Sequence, residues 1–226
     1  QLSVIYFVAV FGIRFLMRNR KAFDLQRPLN AWNLFLAVFS TLGTIFMAPD
    51  FFGTLIGKGY RASYCDANGM TEGTNGLWTF LFVMSKSFEL IDTIFIVLRK
   101  KPLVFLHWYH HILTLLHCFY TYPVNPAYNR WGLYLNFTVH SFMYSYYFVR
   151  SIGIKVNGRI AKSITTAQIV QFIVSIAVLI SIGVDHYVLG YRDCVFNESS
   201  FYFAFVMDVS YLVLFINFFK QSYLVK

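Results

Sequence analysis

The sequence predicts an all-α integral membrane protein of seven transmembrane helices, and three observations predict it. The chain of 226 residues is 58% hydrophobic and only 13% charged. Apolar runs of about 20 residues, the length that crosses a hydrocarbon core of roughly 30 Å, recur along it. The segments between the runs alternate between a strongly basic and a weakly acidic balance. A large soluble helical core would need helices with polar outer faces, which most of these runs lack.

The predicted spans follow in order. Gln1–Met17 carries one charge, Arg14, and Leu29–Pro49 carries none. Leu77–Leu98 is apolar apart from Lys86, Glu89 and Asp92. Pro102–Pro123 is uncharged but contains the pentad His-Trp-Tyr-His-His at 107–111. Trp131–Val149 and Ser163–Val184 are uncharged, and Ser199–Phe219 holds a lone acid, Asp208. All seven read as one domain covering residues 1–226.

Charge orients the spans. Arg18–Pro28, Arg99–Pro102, Arg150–Lys162 and Lys220–Lys226 together hold thirteen Lys/Arg and one acid, Asp24. Asp50–Gly76, Pro123–Arg130 and Asp185–Glu198 hold four Lys/Arg and six acids. Positive charge collects in cytosolic loops, so the C-terminus is predicted cytosolic and the N-terminus on the opposite, lumenal side. The net charge of +9 is therefore a topology signature, and a nucleic-acid partner is not expected, because the charge is spread over short loops.

Cys65 and Cys194 both fall in non-cytosolic loops, where an oxidising lumen would permit a disulfide between them. Asn197-Glu198-Ser199 is a candidate glycan acceptor on the same side. Cys118 sits alone in a span and reads as a small packing residue. With no start methionine or signal peptide, the chain is expected to be trimmed at its ends.

Ionisable groups are costly inside a bilayer and face a bundle interior or an aqueous cavity. At about 1.5 Å per residue, His110, His140 and Glu89 each lie roughly 13–15 Å from the nearest cytosolic basic residue, with Asp208 at about 18 Å. Gln168 and Gln171 lie at comparable levels on the sixth span. His107, His110 and His111 share one arc of their helix, and Asn136, His140, Met143, Tyr144 and Tyr147 share one face of theirs. Lys86 and Glu89, three residues apart, can neutralise each other. A polar network that only glues helices together would explain any one of these residues. Their common depth instead predicts a site.

Two chemistries fit the imidazoles. A His-x-x-His-His box suits a metal, as in a membrane oxygenase or desaturase, and His107, His110, His111 and His140 with Glu89 or Asp92 could satisfy one ion on paper. Di-iron enzymes of that type need more histidine boxes, whereas this chain has six histidines, of which His117 and His186 stand apart. Alternatively, a neutral imidazole attacks an activated acyl group, such as a thioester. Cys118 is a rival nucleophile, but it lies about 10 Å along the helix from His111. A lipid-binding seven-helix receptor or transporter is a third class, though it has little use for three clustered histidines.

Four motifs then acquire a context. "KSFELIDT" (86–93), "HWYHH" (107–111), "NFTVHSFMYSYY" (136–147) and "TTAQIVQ" (165–171) resemble, in order and placement, those of the very-long-chain fatty acid elongase family. "FDLQRPL" and "SYLVLFINFF" extend the similarity from about Asp24 to the end, and "LRKKPLVFLHWYHHILTLL" is most similar to the elongase-6-like branch acting on saturated and monounsaturated chains. The chain is shorter than a typical member, so terminal tails are expected to be missing.

The resemblance implies a 3-ketoacyl-CoA synthase, an acyltransferase of the endoplasmic reticulum membrane. It would condense long-chain acyl-CoA with malonyl-CoA, with no metal and no cofactor. Helices two to seven would surround an acyl tunnel open to the cytosol. His110 is the expected nucleophile, giving an acyl-imidazole, and His140 the expected oxygen-stabilising or proton-shuttling group. His107 and His111 would orient His110, and Asn136 would supply a hydrogen bond. Lys86, Glu89 and Asp92 would shape the electrostatics, while Tyr144, Tyr147, Gln168 and Gln171 line the entry. Arg99, Lys100, Lys101, Arg150, Arg159 and Lys162 are candidates for the coenzyme A phosphates, with membrane topology alone as their alternative role. Implied partners are membrane lipid, the reductases and the dehydratase of the elongation cycle. The oligomeric state, a homo-oligomer included, stays open.

Overall fold

The computed structural model describes residues 1–225 and is all-helical. Helix α1 is Leu2–Leu16, α2 Gln26–Gly57, α3 the short Tyr60–Cys65, α4 Gly73–Glu89, and α5 Ile91–Leu98. Then come α6 Phe105–Thr121, α7 Asn129–Ser151, α8 Gly158–Gly183 and α9 Glu198–Tyr223. A single π-turn, Val184–Val188, prolongs α8.

Local chemistry sets several boundaries. Pro28 lies in the first turn of α2, where a missing N–H costs nothing. Asn157 caps α8 by accepting the Arg159 N–H at 2.9 Å, and Asn197 caps α9 by accepting from Ser200 at 2.9 Å. Asn197, proposed above as a glycan acceptor, thus has its side-chain oxygen committed to the helix.

Among the described residues, three helices are long and apolar enough to cross a membrane: Gln26–Gly57, Gly158–Val188 and Glu198–Tyr223. Exposed large hydrophobics such as Val4, Ile45, Val206 and Val213 suit contact with lipid. The family described below and these helices make the chain a membrane protein.

The segment expected as one span at Leu77–Leu98 is divided into two helices, α4 and α5, at Leu90. There the Thr93 N–H donates to the Leu90 carbonyl only three residues back, at 3.2 Å. Anchoring explains the turn. Glu89 is held from within α4 by Ser85 at 3.0 Å and Lys86 at 2.7 Å. Asp92, just beyond, is held from outside by Trp32 of α2 at 2.6 Å and Tyr144 of α7 at 2.7 Å.

Six helices close into a ring in the order α2, α4, α6, α9, α8, α7 and back to α2. Helix α1 stands outside this ring, against α5 and α6, through Tyr6, Val10, Leu90, Val97 and Leu115. Close approach of α2 to α7 depends on Gly43, because a Cβ there would meet the Phe137 ring at 2.5 Å.

One end of the ring is cross-braced. Cys65 and Cys194 form a disulfide that joins α3 to the segment before α9. Arg61 donates to Asp185 at 2.9 Å and, through two nitrogens, to Asp193 at 2.8 and 2.7 Å. Those bonds hold the exposed Asp193 carboxyl down to about 2. Arg130, 1% exposed, pairs with Asp50 at 2.8 Å and donates to the carbonyls of Ser63 at 3.1 Å and Asp66 at 2.7 Å. A buried arginine needs that many partners to offset its lost hydration.

Candidate active site

The ring encloses a cavity of about 1190 Å³, walled by α2, α5, α6, α7, α8 and α9. A smaller chamber of about 100 Å³ lies against it, and His110, Asn136, Gln171 and Phe172 line both. His110 therefore stands at the waist between the two.

A polar circuit from α4 and α7 faces the waist. Lys86 Nζ donates to Glu89 Oε1 at 2.7 Å and to Asn136 Oδ1 at 2.8 Å. Asn136 Nδ2 then lies 3.3 Å from His140 Nε2, and His140 Nδ1 lies 4.0 Å from Glu89 Oε2. Lys86 and Glu89 are each 3% exposed and His140 is 7% exposed. Low dielectric strengthens such contacts, but it also makes each partner costly to lose. The Lys86 ammonium also sits 4.3 Å from the centre of the Phe82 ring, which lowers its desolvation cost.

The three histidines of α6 keep close company. The His107 and His111 ring centres are 4.5 Å apart, and those of His110 and His111 are 5.6 Å apart. His107 Nε2 is bonded to Thr93 Oγ1 at 3.0 Å, which is itself bonded to Tyr6 OH at 2.6 Å. His110 packs on Tyr211 of α9 at 4.7 Å, and the Tyr211 hydroxyl donates to the His110 carbonyl at 3.0 Å. These imidazoles do not converge as a metal-ligand set. Among the described residues, the one group with three ligand atoms mutually within 4.8 Å is Cys65, Asp193 and Cys194, whose sulfurs bond each other.

The wall of the large cavity gathers Asp92, His107, His110, His111, Asn136 and His140 with Tyr144, Tyr147, Gln168 and Gln171. Gln168 Nε2 rests 3.3 Å from Met143 Sδ. Lys86 and Glu89 lie behind that wall.

At the basic end the expected set divides. Arg99, Lys101 and Arg150 line the cavity, with Arg99 donating to Gln26 Oε1 at 3.1 Å. Lys100, Arg159 and Lys162 do not line it. Lys100 takes a left-handed backbone (φ 52°) and donates to the carbonyls of Arg18 at 3.2 Å and Arg20 at 2.9 Å. Lys162 lies over the Phe219 ring at 5.5 Å, and Arg159 occupies the exposed first turn of α8. Cys118 is buried on the wall of the small chamber, as is Asp208.

The sequence reading missed Tyr6, Trp32, Thr93 and Tyr211. Tyr211 had a signal, since it lies three residues from Asp208, on the same side of α9. Tyr6 and Trp32 stand alone on separate helices with no local pattern to set them apart, and Thr93 closes the motif at 86–93, where nothing marked its hydroxyl.

The chain is 54% identical to long chain fatty acid elongase 1 of Caenorhabditis elegans over 100% of its own length and 78% of the relative's. It is 40% identical to long chain fatty acid elongase 2 of the same nematode, over 100% of the chain and 83% of that relative. Human very long chain fatty acid elongase 6 is 39% identical over 99% of the chain and 83% of its own length. The ELO (GNS1/SUR4) family profile matches residues 1–226, and the chain belongs to that family of fatty acid elongases.

Proposed function

We propose that this enzyme condenses a long-chain acyl-CoA with malonyl-CoA, giving 3-ketoacyl-CoA, carbon dioxide and coenzyme A. The observation that carries the site assignment is the position of His110, on the wall of both cavities and beside the Lys86–Asn136–His140–Glu89 circuit.

The acyl thioester enters from the basic end, where Arg99, Lys101 and Arg150 meet the coenzyme A phosphates as charge-assisted partners. A ring nitrogen of His110 attacks the thioester carbonyl. The carbon–sulfur bond breaks, coenzyme A leaves as thiolate and takes up a proton, and an acyl-imidazole remains. Malonyl-CoA then loses carbon dioxide, and the electron pair of the broken bond becomes its enolate. That carbon attacks the acyl carbonyl, forming the new carbon–carbon bond as the carbon–nitrogen bond breaks, and the departing imidazole nitrogen takes up a proton to restore His110. His140, with its ring held by Asn136 and its Nδ1 toward Glu89, serves as the proton-shuttling group. His107 and His111 orient His110, while Asp92, Tyr144, Tyr147, Gln168 and Gln171 line the path of the pantetheine arm. This route needs no metal or organic cofactor.

The same reading takes residues 1–226 as one domain of seven spans in the endoplasmic reticulum membrane. The disulfide end is lumenal and the basic end cytosolic, with the N-terminus lumenal and the C-terminus cytosolic. The product is substrate for a ketoreductase, a dehydratase and an enoyl reductase.

The test is to supply purified enzyme with palmitoyl-CoA and carboxyl-labelled malonyl-CoA. Labelled carbon dioxide and a product two carbons longer are expected. His110→Ala should lose both, together with the acyl adduct seen by intact mass. An adduct that persists in that variant moves the nucleophile elsewhere.

A further inference from the structure

Among the described residues, five buried side-chain polar atoms have no hydrogen-bond partner in the protein, and three of them surround the small chamber: His117 Nε2, Asn125 Nδ2 and Tyr128 OH. Such atoms cost free energy unless a ligand or water satisfies them, so three on residues that line one cavity call for a polar occupant. The chamber, at about 100 Å³, has room for a small polar group. It adjoins the waist at His110. It also lies beyond His110 from the basic end: His117 is seven residues further along α6, or about 10 Å, and Asn125 follows the end of that helix. An acyl chain whose thioester is at His110 would direct its far end there.

The chemistry of the wall selects the group. Asn125 Nδ2 donates, Tyr128 OH both donates and accepts, and His117 Nε2 takes either role with its tautomer. A hydroxyl matches that mixture. Among the described residues no Lys or Arg lines the chamber, so a terminal carboxylate would be buried without a counter-ion.

We infer that the small chamber is a binding subsite for a hydroxyl at the far end of the acyl chain, and that the enzyme accepts ω-hydroxyacyl-CoA substrates. This rests on the elongase reading, which it deepens by naming a substrate class.

The experiment compares palmitoyl-CoA and stearoyl-CoA with their ω-hydroxy counterparts, using purified wild-type enzyme and two variants, Tyr128→Phe and His117→Leu. In the wild type, kcat/KM for at least one ω-hydroxy substrate should exceed that of its plain counterpart by about tenfold. Tyr128→Phe, which removes one oxygen, should erase about tenfold for the ω-hydroxy series and leave the plain series unchanged. His117→Leu should act in the same direction. Elongation of the plain series alone, or equal losses on both series, overturns the subsite and means that ordered water alone satisfies these groups. Elongation of neither series removes the elongase reading, and the subsite with it.

Discussion

Asn136 Nδ2 lies 3.3 Å from His140 Nε2, and the amide is held in that sense because Lys86 donates to Asn136 Oδ1 at 2.8 Å. An amide whose oxygen is engaged by an ammonium must offer its N–H groups elsewhere, so His140 Nε2 accepts and its ring proton resides on Nδ1. Asn136→Asp removes that donor at nearly constant volume. Condensation should fall by about 10²–10⁴, the range ascribed to one positioned acid–base group. Single-turnover kinetics should locate the loss in carbon–carbon bond formation, with the acyl adduct still accumulating.

Lys86 and Glu89 form an ion pair almost wholly withdrawn from solvent. Removing one member leaves an uncompensated charge, at a cost of about 3–5 kcal/mol. Lys86→Met and Glu89→Leu should each lower the thermal midpoint in detergent strongly. The double substitution should be milder than either single one, which fluorescence melting of all four proteins would reveal.

Helix α1 reaches the site through two hydroxyls, from Tyr6 to Thr93 and on to His107. Tyr6→Phe should cut kcat by about tenfold while the thermal midpoint changes little, the loss expected of one hydrogen bond. Thr93→Val breaks the same line nearer the ring, so its effect should be at least as large and not additive with Tyr6→Phe. Kinetics and melting of the single and double variants check both statements.

Asp193 is held down to about 2, chiefly by its bonds from Arg61. A depressed carboxyl stabilises the fold fully above its unfolded pKa of about 4, and that contribution fades as pH falls toward 2. Thermal midpoints in detergent should therefore drop on acidification through this window. Asp193→Asn should flatten part of that drop while leaving condensation at neutral pH unchanged, because Asp193 is remote from the histidines.

Helix identity and the histidine arc were legible because each depends on local periodicity. All eight residues singled out by facing alone, His107, His110, His111, Asn136, His140, Met143, Tyr144 and Tyr147, do reach one cavity. Hydrophobicity could not reveal the interruption at Leu90, since bonds from α2 and α7 impose it. Nor could charge distinguish Lys101 from Lys100, which are neighbours in sequence. A left-handed backbone turns Lys100 to nearby carbonyls, and only Lys101 is left on the cavity wall. Arg130 passed as an ordinary loop charge because its four oxygen partners come from residues 62 to 80 positions away.

The interruption at Leu90 separates two jobs that one continuous helix would confuse. Glu89 and Asp92 are three residues apart, and an unbroken rod would bring them to one stripe, competing for the same donors. Instead Glu89 draws on Ser85 and Lys86, and Asp92 on Trp32 and Tyr144. Each acid can thus lose one of its donors without stripping a hydrogen bond from the other.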